Sequence, residues 1–563
     1  MKPVHPAPRP TMMTFRRLLL LACIPLGLSA AEAPRRPNLV VVISLDQFRA
    51  DYLERYRPYF VAGGFNLLLE QGANFTDCHY LHSLTKTGPG HAVMLSGVHA
   101  NVHGIVANEW LVRPWPVLEQ VNCVEDRDSP LVGLEPKAVR SPGGLLEAKA
   151  GRSPRPYLAT TVGDLLKEKY GARAKVFGVA DKDRAAILMS GKRADGAYWT
   201  EEGRVVTSTY YRKELPAYLA AFNAEERPRS FFGREWTRLL EPAVYEKLLG
   251  PDDAPGEYVG VGLTRTFPKR IDGGKPGITK DYFDAFDYTP WNNEWIAQLA
   301  REVVVNEKLG EADGAPDFLA IGFSQTDKIG HGYGPDSHES MDSIVRLDRT
   351  LAELFKFLDE KVGLKNCTFV LTSDHGVAPL PERNPGTGGR VRSADIDAAV
   401  FAALDARFGA PADGERWAAR DNLGYHLNSM VLARKQLAAA PVEAAVAEAA
   451  RQLPYIAAAY TRTQLTAPAP LDAIGEAMRL SYYPPRSPDV MTVLKPYFID
   501  RITPGTTHGT PYDYDNHVPL VWFGAGVKPG KYSERVGVND LAPTLAHLLG
   551  LPALSQSQGR ALF

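Results

Sequence analysis

Five short apolar runs constrain this chain most, because each is rich in β-branched or aromatic residues and each stops abruptly. Residues 38–45 stop at Asp46, 175–180 at Asp181, 318–323 at Ser324, 368–373 at Asp374 and 518–523 at Gly524. Runs with so few alternating polar residues read as strands buried on both faces, the pattern of a parallel sheet covered by helices. Amphipathic stretches at 161–169, 294–309, 339–358 and 539–549 supply those helices. The alternation predicts an α/β fold with a largely parallel central sheet. No internal repeat interrupts it.

Ligands of open parallel sheets bind beyond the carboxyl ends of the strands. Here those ends carry Asp46, Asp327 and the Asp374-His375 pair. Between the periodic segments, about 110–154, 185–288 and 380–505 read as inserted stretches. The last has helix signals at 441–452 and strand signals at 425–432. The expected organisation is therefore one catalytic domain over 36–563 with large cap insertions.

The N-terminus reads differently. Arg16 and Arg17 precede an apolar stretch, 18–28, that is too short to span the ~30 Å hydrocarbon of a bilayer as a helix. Small residues follow at Ser29, Ala30, Ala31 and Ala33. This is the layout of a signal peptide over 1–31 and predicts a periplasmic or secreted protein; a retained anchor is the alternative. No stable membrane insertion is expected of the remainder. Lys and Arg total 64 against 65 Asp and Glu, so a general nucleic-acid partner is not expected. Three cysteines remain past the signal. Cys78–Cys123 is the one pair considered for a bridge, and Cys367 reads as a buried small hydrophobe.

The chemistry-bearing residues gather near the strand ends. Asp327 and His331 sit four apart, Asp374 and His375 are adjacent, and His508 lies in Thr-Thr-His-Gly-Thr. With Asp46 these are three Asp and three His, the ligand chemistry of a two-zinc hydrolytic site. Each fragment alone has a structural reading, since Asp after a strand often caps a helix. Asp513 and Asp515 read as a turn rather than a calcium site. The nucleophile candidate is Thr87, in Thr-Lys-Thr-Gly-Pro-Gly-His. A helix predicted to start near Pro89 would put Thr87 just before an N-terminus that attracts anions. Thr87 could also be only a cap, and Thr85 is a competing nucleophile.

Taken in order, Asp46, Thr87-Gly-Pro-Gly-His, His103-Gly-Ile-Val-Ala-Asn108, Asp327-x-x-x-His331, Asp374-His375-Gly and His508-Gly closely resemble the alkaline phosphatase superfamily. The resemblance is to its type I phosphodiesterase/nucleotide pyrophosphatase branch and runs from about residue 38 to the C-terminus. It implies an alkaline-phosphatase-like fold and two Zn²⁺ per chain. One zinc would take Asp46, Asp374, His375 and Thr87, the other Asp327, His331 and His508. Asn108 would hold a phosphoryl oxygen. His82, His91, His99 and His103 fall outside this set and are expected to support the helices or the ligands.

Residues 180–188 refine the match. Lys182 and Arg184 are two apart, so in an extended segment they would face one side. This Lys-x-Arg pair, with Asn108, looks like the phosphate-irrepressible alkaline phosphatases, which are periplasmic monoesterases. A monoester phosphoryl group carries two charges and a diester one, so two extra cations suit the first. The resemblance therefore implies an alkaline phosphatase acting on small-molecule phosphate monoesters through a phosphothreonine. The alternatives are a phosphodiesterase or nucleotide pyrophosphatase, its nucleotide slot built from Trp110, Trp115 or Tyr198, and an inactive binding protein on the same fold.

Overall fold

The structure is a computed structural model. It describes residues 36–563 except 113–114, 117, 135–137, 141–145, 149–150, 259, 312–313 and 423. Of residues 1–35, which form a separate unit, it describes Met1 and residues 3–8, so the apolar stretch and the expected cleavage region of the signal peptide lie outside the described residues. Among the described residues no helix is long and apolar enough to cross a membrane.

The five predicted strands all form, within one ten-stranded sheet. In chain order its strands are β1 (Leu39–Leu45), β2 (Ala73–His79), β3 (Leu131–Val132), β4 (Val176–Ala180) and β5 (Gly196–Glu201). They continue with β6 (Arg204–Ser208), β7 (Asp317–Phe323), β8 (Cys367–Thr372), β9 (His517–Gly524) and β10 (Gly530–Gly537). The spatial order is β10-β2-β9-β8-β1-β7-β4-β5-β6-β3. The central strands β8, β1, β7, β4 and β5 are mutually parallel. β9, however, runs antiparallel to both β8 and β2. Its first residue therefore lies at the edge where the parallel strands end, and it is the chain before β9 that reaches this edge.

The helices relevant here are α1 (Thr87–Ser96), α2 (Val162–Tyr170), α3 (Asp183–Ser190), α4 (Trp291–Asn306), α5 (Gln325–Tyr333), α6 (His338–Lys361) and α7 (Leu541–Leu548). Four of these match the predicted amphipathic stretches. α2 begins where expected because Thr161 and Asp164 form a reciprocal capping box. The two-sided burial of β1 explains its uniform apolarity. Leu39, Val41, Ile43 and Leu45 pack on one face with α4 and α6. Val40 and Val42 pack on the other with α1 and α7. Each such side chain contributes roughly 1.5–3 kcal/mol.

The inserted stretches divide differently from expectation. Residues 196–208 within 185–288 supply β5 and β6, so the start of that stretch extends the central sheet. The 380–505 stretch instead folds a four-stranded antiparallel sheet of Ala418–Asp421, Gly424–Leu427, Val490–Leu494 and Ile456–Thr461. It has its own core around Trp417, Val400, Leu404 and Val446. The strand expected over 425–432 ends at Leu427. Asn428 then accepts hydrogen bonds from the Met430 and Val431 amides and opens a helix, Ser429–Arg434. Cys78, Cys123 and Cys367 are free and buried. The considered Cys78–Cys123 bridge is absent, and both side chains pack as small apolar groups in the same core layer.

Candidate active site

The carboxyl edge of the central strands gathers every predicted ligand. Asp46 follows β1, Asp374 and His375 follow β8, and Asp327 and His331 lie one turn apart on α5. His508 arrives on the chain leading into β9. One ligand atom each from Asp327, His331 and His508 lies within 4.8 Å of the others, and the same holds for Asp46, Asp327 and His375. Asp327 thus lies between the two predicted sets. His331 Nε2 is 3.2 Å and His508 Nε2 3.7 Å from Asp327 Oδ1. His375 Nε2 is 3.5 Å from Asp46 Oδ1 and 3.4 Å from Asp374 Oδ2.

The three imidazoles share one orientation. Nδ1 of His331 lies 2.8 Å from the Thr506 carbonyl, that of His375 2.9 Å from Gly376 O, and that of His508 2.7 Å from Thr85 O. A carbonyl only accepts, so Nδ1 is the protonated nitrogen in each ring. Nε2 is left with its lone pair facing the carboxylates, which is how metal-binding histidines are held.

The charges also fit a cation. Asp46, Asp327 and Asp374 are all buried. Burial and the Asp46 charge push the Asp374 carboxyl well above its usual range. Burial also pushes Asp327 up, but Lys182 and His331 outweigh it and hold that carboxyl well below its usual range. Three buried carboxylates with three bare imidazole nitrogens are the donor set for positive metal ions.

Thr87 is the first residue of α1 rather than the residue before it, because Lys86 is extended and occupies the cap position. Its Oγ1 lies 3.4 Å from His375 Nε2. Thr85, the competing candidate, donates its hydroxyl to Thr510 O at 2.9 Å, and its carbonyl holds His508. Gly90 lets α1 sit against the metal-ligand loop: a Cβ there would stand 2.3 Å from Asp374 O. Asn108 Oδ1 accepts from the Gly88 amide at 2.7 Å, so its NH₂ group is left to donate elsewhere.

Lys182 and Arg184 are not in an extended segment. Lys182 caps α3 and Arg184 lies in its first turn. The cap geometry still directs Lys182 to the centre. Lys182 Nζ is 2.7 Å from Asp46 Oδ2 and 2.6 Å from Asp327 Oδ2. Arg184 is braced by Asp183, itself bonded to Arg152 at 2.6 Å, and its buried Nε has no hydrogen-bond partner.

Of the three aromatics considered for a nucleotide slot, Trp115 is half-buried. Trp110 and Tyr198 are both buried in the core layers, Tyr198 completely. The cap stretch braces the strand after Asn108: Asp421 Oδ2 accepts from the Leu111 amide, and Asn422 Nδ2 donates to Glu109 O.

Three further residues act on this centre. Gln47, at φ 61°, donates Nε2 to Asp327 Oδ1 at 2.7 Å and its amide to Asp374 Oδ1 at 3.1 Å. Asp515 Oδ2 accepts from the Gly509 and Thr510 amides and the Thr510 hydroxyl. Burial pushes its carboxyl up to about 7. His91 bridges Ser44 Oγ and the Thr87 carbonyl and stands 3.4 Å from Asp374. Burial pushes that imidazole down to about 4, so it works as a neutral brace. Nothing in the sequence points to Gln47, and His91 and Asp515 read there only as support and turn.

Comparison with known proteins bears on the family and the fold. The family model of type I phosphodiesterase/nucleotide pyrophosphatase matches residues 40–501. Alkaline phosphatase PhoV of Synechococcus elongatus is 31% identical over 94% of this chain and 92% of its own length. Alkaline phosphatase PafA of Elizabethkingia meningoseptica is 31% identical over 98% of this chain and 99% of its own. A crystal structure of wild-type PafA superposes with a TM-score of 0.84 at 30% identity, covering 94% of this chain and 99% of that one. With an alkaline-phosphatase-like fold and a family match across most of its length, the chain belongs to the type I phosphodiesterase/nucleotide pyrophosphatase family.

Proposed function

We propose that this protein is an exported, zinc-dependent alkaline phosphatase that hydrolyses small phosphate monoesters through a phosphothreonine. The observation that carries the reading is the common orientation of His331, His375 and His508, each with Nδ1 on a carbonyl and Nε2 turned into one carboxylate-lined centre. The names of the relatives PhoV and PafA support the monoester assignment.

One zinc would be held by Asp46, Asp374, His375 and Thr87, and the other by Asp327, His331 and His508. When bound, the pair supplies positive charge that favours the threonine alkoxide and stabilises negative charge on the phosphoryl and leaving oxygens. Thr87 Oγ1 attacks phosphorus as the bond to the leaving alkoxide breaks, giving phosphothreonine and the free alcohol. Water then attacks the phosphothreonine from the opposite side, releasing phosphate and restoring the hydroxyl. Asn108 Nδ2, Lys182 Nζ and the Arg184 guanidinium hold the non-bridging oxygens, and the N-terminus of α1 adds a favourable dipole. Gln47 and His91 keep the carboxylates and the nucleophile helix in register.

The catalytic domain covers 36–563, with the cap drawn from about 110–154 apart from β3, from the part of 185–288 beyond β6, and from 380–505. Chelation is expected to abolish hydrolysis of an aryl phosphate, and added zinc to restore it. Full activity in stringently metal-free protein would end this reading. Export predicts a mature N-terminus between Ala30 and Pro37, read by N-terminal sequencing of protein from the native host. Intact Met1 on cytoplasmic protein would refute it.

A further inference from the structure

A second cluster of metal-ligand chemistry lies outside the catalytic centre. Asp77 and His79 are two apart on β2, and His517, the first residue of β9, is the cross-strand partner of His79. One ligand atom from each of the three lies within 4.8 Å of the others. The two imidazoles are stacked, with centroids 4.4 Å apart and planes at 7°.

Their proton positions follow from their neighbours. Asn516 Nδ2 donates to Pro511 O at 2.8 Å, which turns Asn516 Oδ1 toward His79. His79 Nδ1 lies 3.0 Å from that oxygen and so carries the proton. Its Nε2 then faces Asp77 Oδ1 at 2.7 Å. A bare lone pair against a carboxylate is repulsive, so this nitrogen needs either a second proton or a cation. His517 Nε2 lies 3.0 Å from the Thr76 carbonyl and donates to it, leaving Nδ1 bare. Each ring thus gives one N–H to a carbonyl oxygen, and the second nitrogen of His79 is turned onto the Asp77 carboxylate.

We propose that Asp77, His79 and His517 form a further metal site, which takes Zn²⁺ or a similar imidazole-preferring divalent ion. Two imidazoles and one carboxylate suit such an ion, with water completing a tetrahedral set. Its place in the fold gives it a bracing role. His79 ends the strand that leads to Thr87. His517 follows the segment whose Asp515 holds the Gly509 and Thr510 amides and whose Asp515 and Tyr514 carbonyls accept from Gly376 and Val377. The Tyr80 amide already bonds Asn516 O at 2.9 Å. An ion here ties the nucleophile strand to the segment that carries both histidine loops.

The test is metal stoichiometry of the full-length, zinc-loaded mature enzyme, with chelator competition to rank the affinities. The Asp77→Asn/His517→Gln double variant should hold one ion fewer per chain than wild type while hydrolysing an aryl phosphate in excess zinc. The Asn516→Ala variant, which frees the His79 tautomer, should weaken this ion on the order of ten- to a hundredfold. If the double variant does not fold, His517→Gln alone, at a half-buried position, gives the same readout. An Asp327→Asn/His331→Gln variant should lose metal at the catalytic centre and keep this ion, so the two sites are read independently. Equal metal content and equal competition curves for wild type and the Asp77/His517 variants would overturn the proposal.

Discussion

Replacing Thr87 by alanine is expected to lower turnover of an aryl phosphate by at least about a thousandfold, about 4 kcal/mol of transition-state stabilisation. The fold should survive. Among the described residues the Thr87 hydroxyl has one hydrogen-bond contact, His375 Nε2 at 3.4 Å, while the rest of α1 is buried through its other side chains. Thr87→Ser should keep part of the rate, because it retains a hydroxyl at the same Cβ. Acid-quenched protein should carry phosphothreonine in wild type and none in Thr87→Ala. Thr85→Ala provides the control. Thr85 Oγ1 is already committed to Thr510 O, so its loss should disturb the His508 loop without removing the nucleophile. An inactive Thr85→Ala beside an active Thr87→Ala would move the nucleophile to Thr85.

The second large effect concerns the charge of the substrate. A charge-assisted hydrogen bond contributes roughly 1.5–3 kcal/mol, so removing both Lys182 and Arg184 should cost monoester kcat/KM on the order of a hundredfold or more, allowing for non-additivity. Diester hydrolysis should fall much less, because its phosphoryl group carries one charge rather than two. The measurement is the ratio of the two losses in Lys182→Ala/Arg184→Ala, with substrates that share a leaving group. Lys182 also lies between Asp46 and Asp327, so zinc content must be measured in the same variant. Equal losses for both substrates would mean that the pair supports the carboxylate centre generally, and the phosphodiesterase reading would then replace the monoesterase.

The sequence by itself determined the class of fold and the inventory of the site. Strands such as β1 are apolar on both faces because helices cover both faces, and that pattern is written locally. The candidate ligands were legible because few residue types suit a zinc ion, and because their order along the chain is distinctive. What sequence could not supply was direction. β9 looks like the other buried strands, since burial and not polarity of chain direction sets its composition. Only hydrogen-bond pairing with β8 and β2 shows it to be antiparallel. That pairing brings His508 and Asp515 to the catalytic edge and sets His517 beside His79. The Lys182–Arg184 pair shows the same limit. An extended segment was expected, whereas a helix cap aims the lysine at two carboxylates from other segments of the chain. The roles of Gln47, His91 and Asp515 also came only from the tertiary structure. Gln47, His91 and the Asp515 carbonyl have partners in other segments of the chain, as far away as 327 positions for Gln47, and one sequence read locally carries no record of contacts made across such separations.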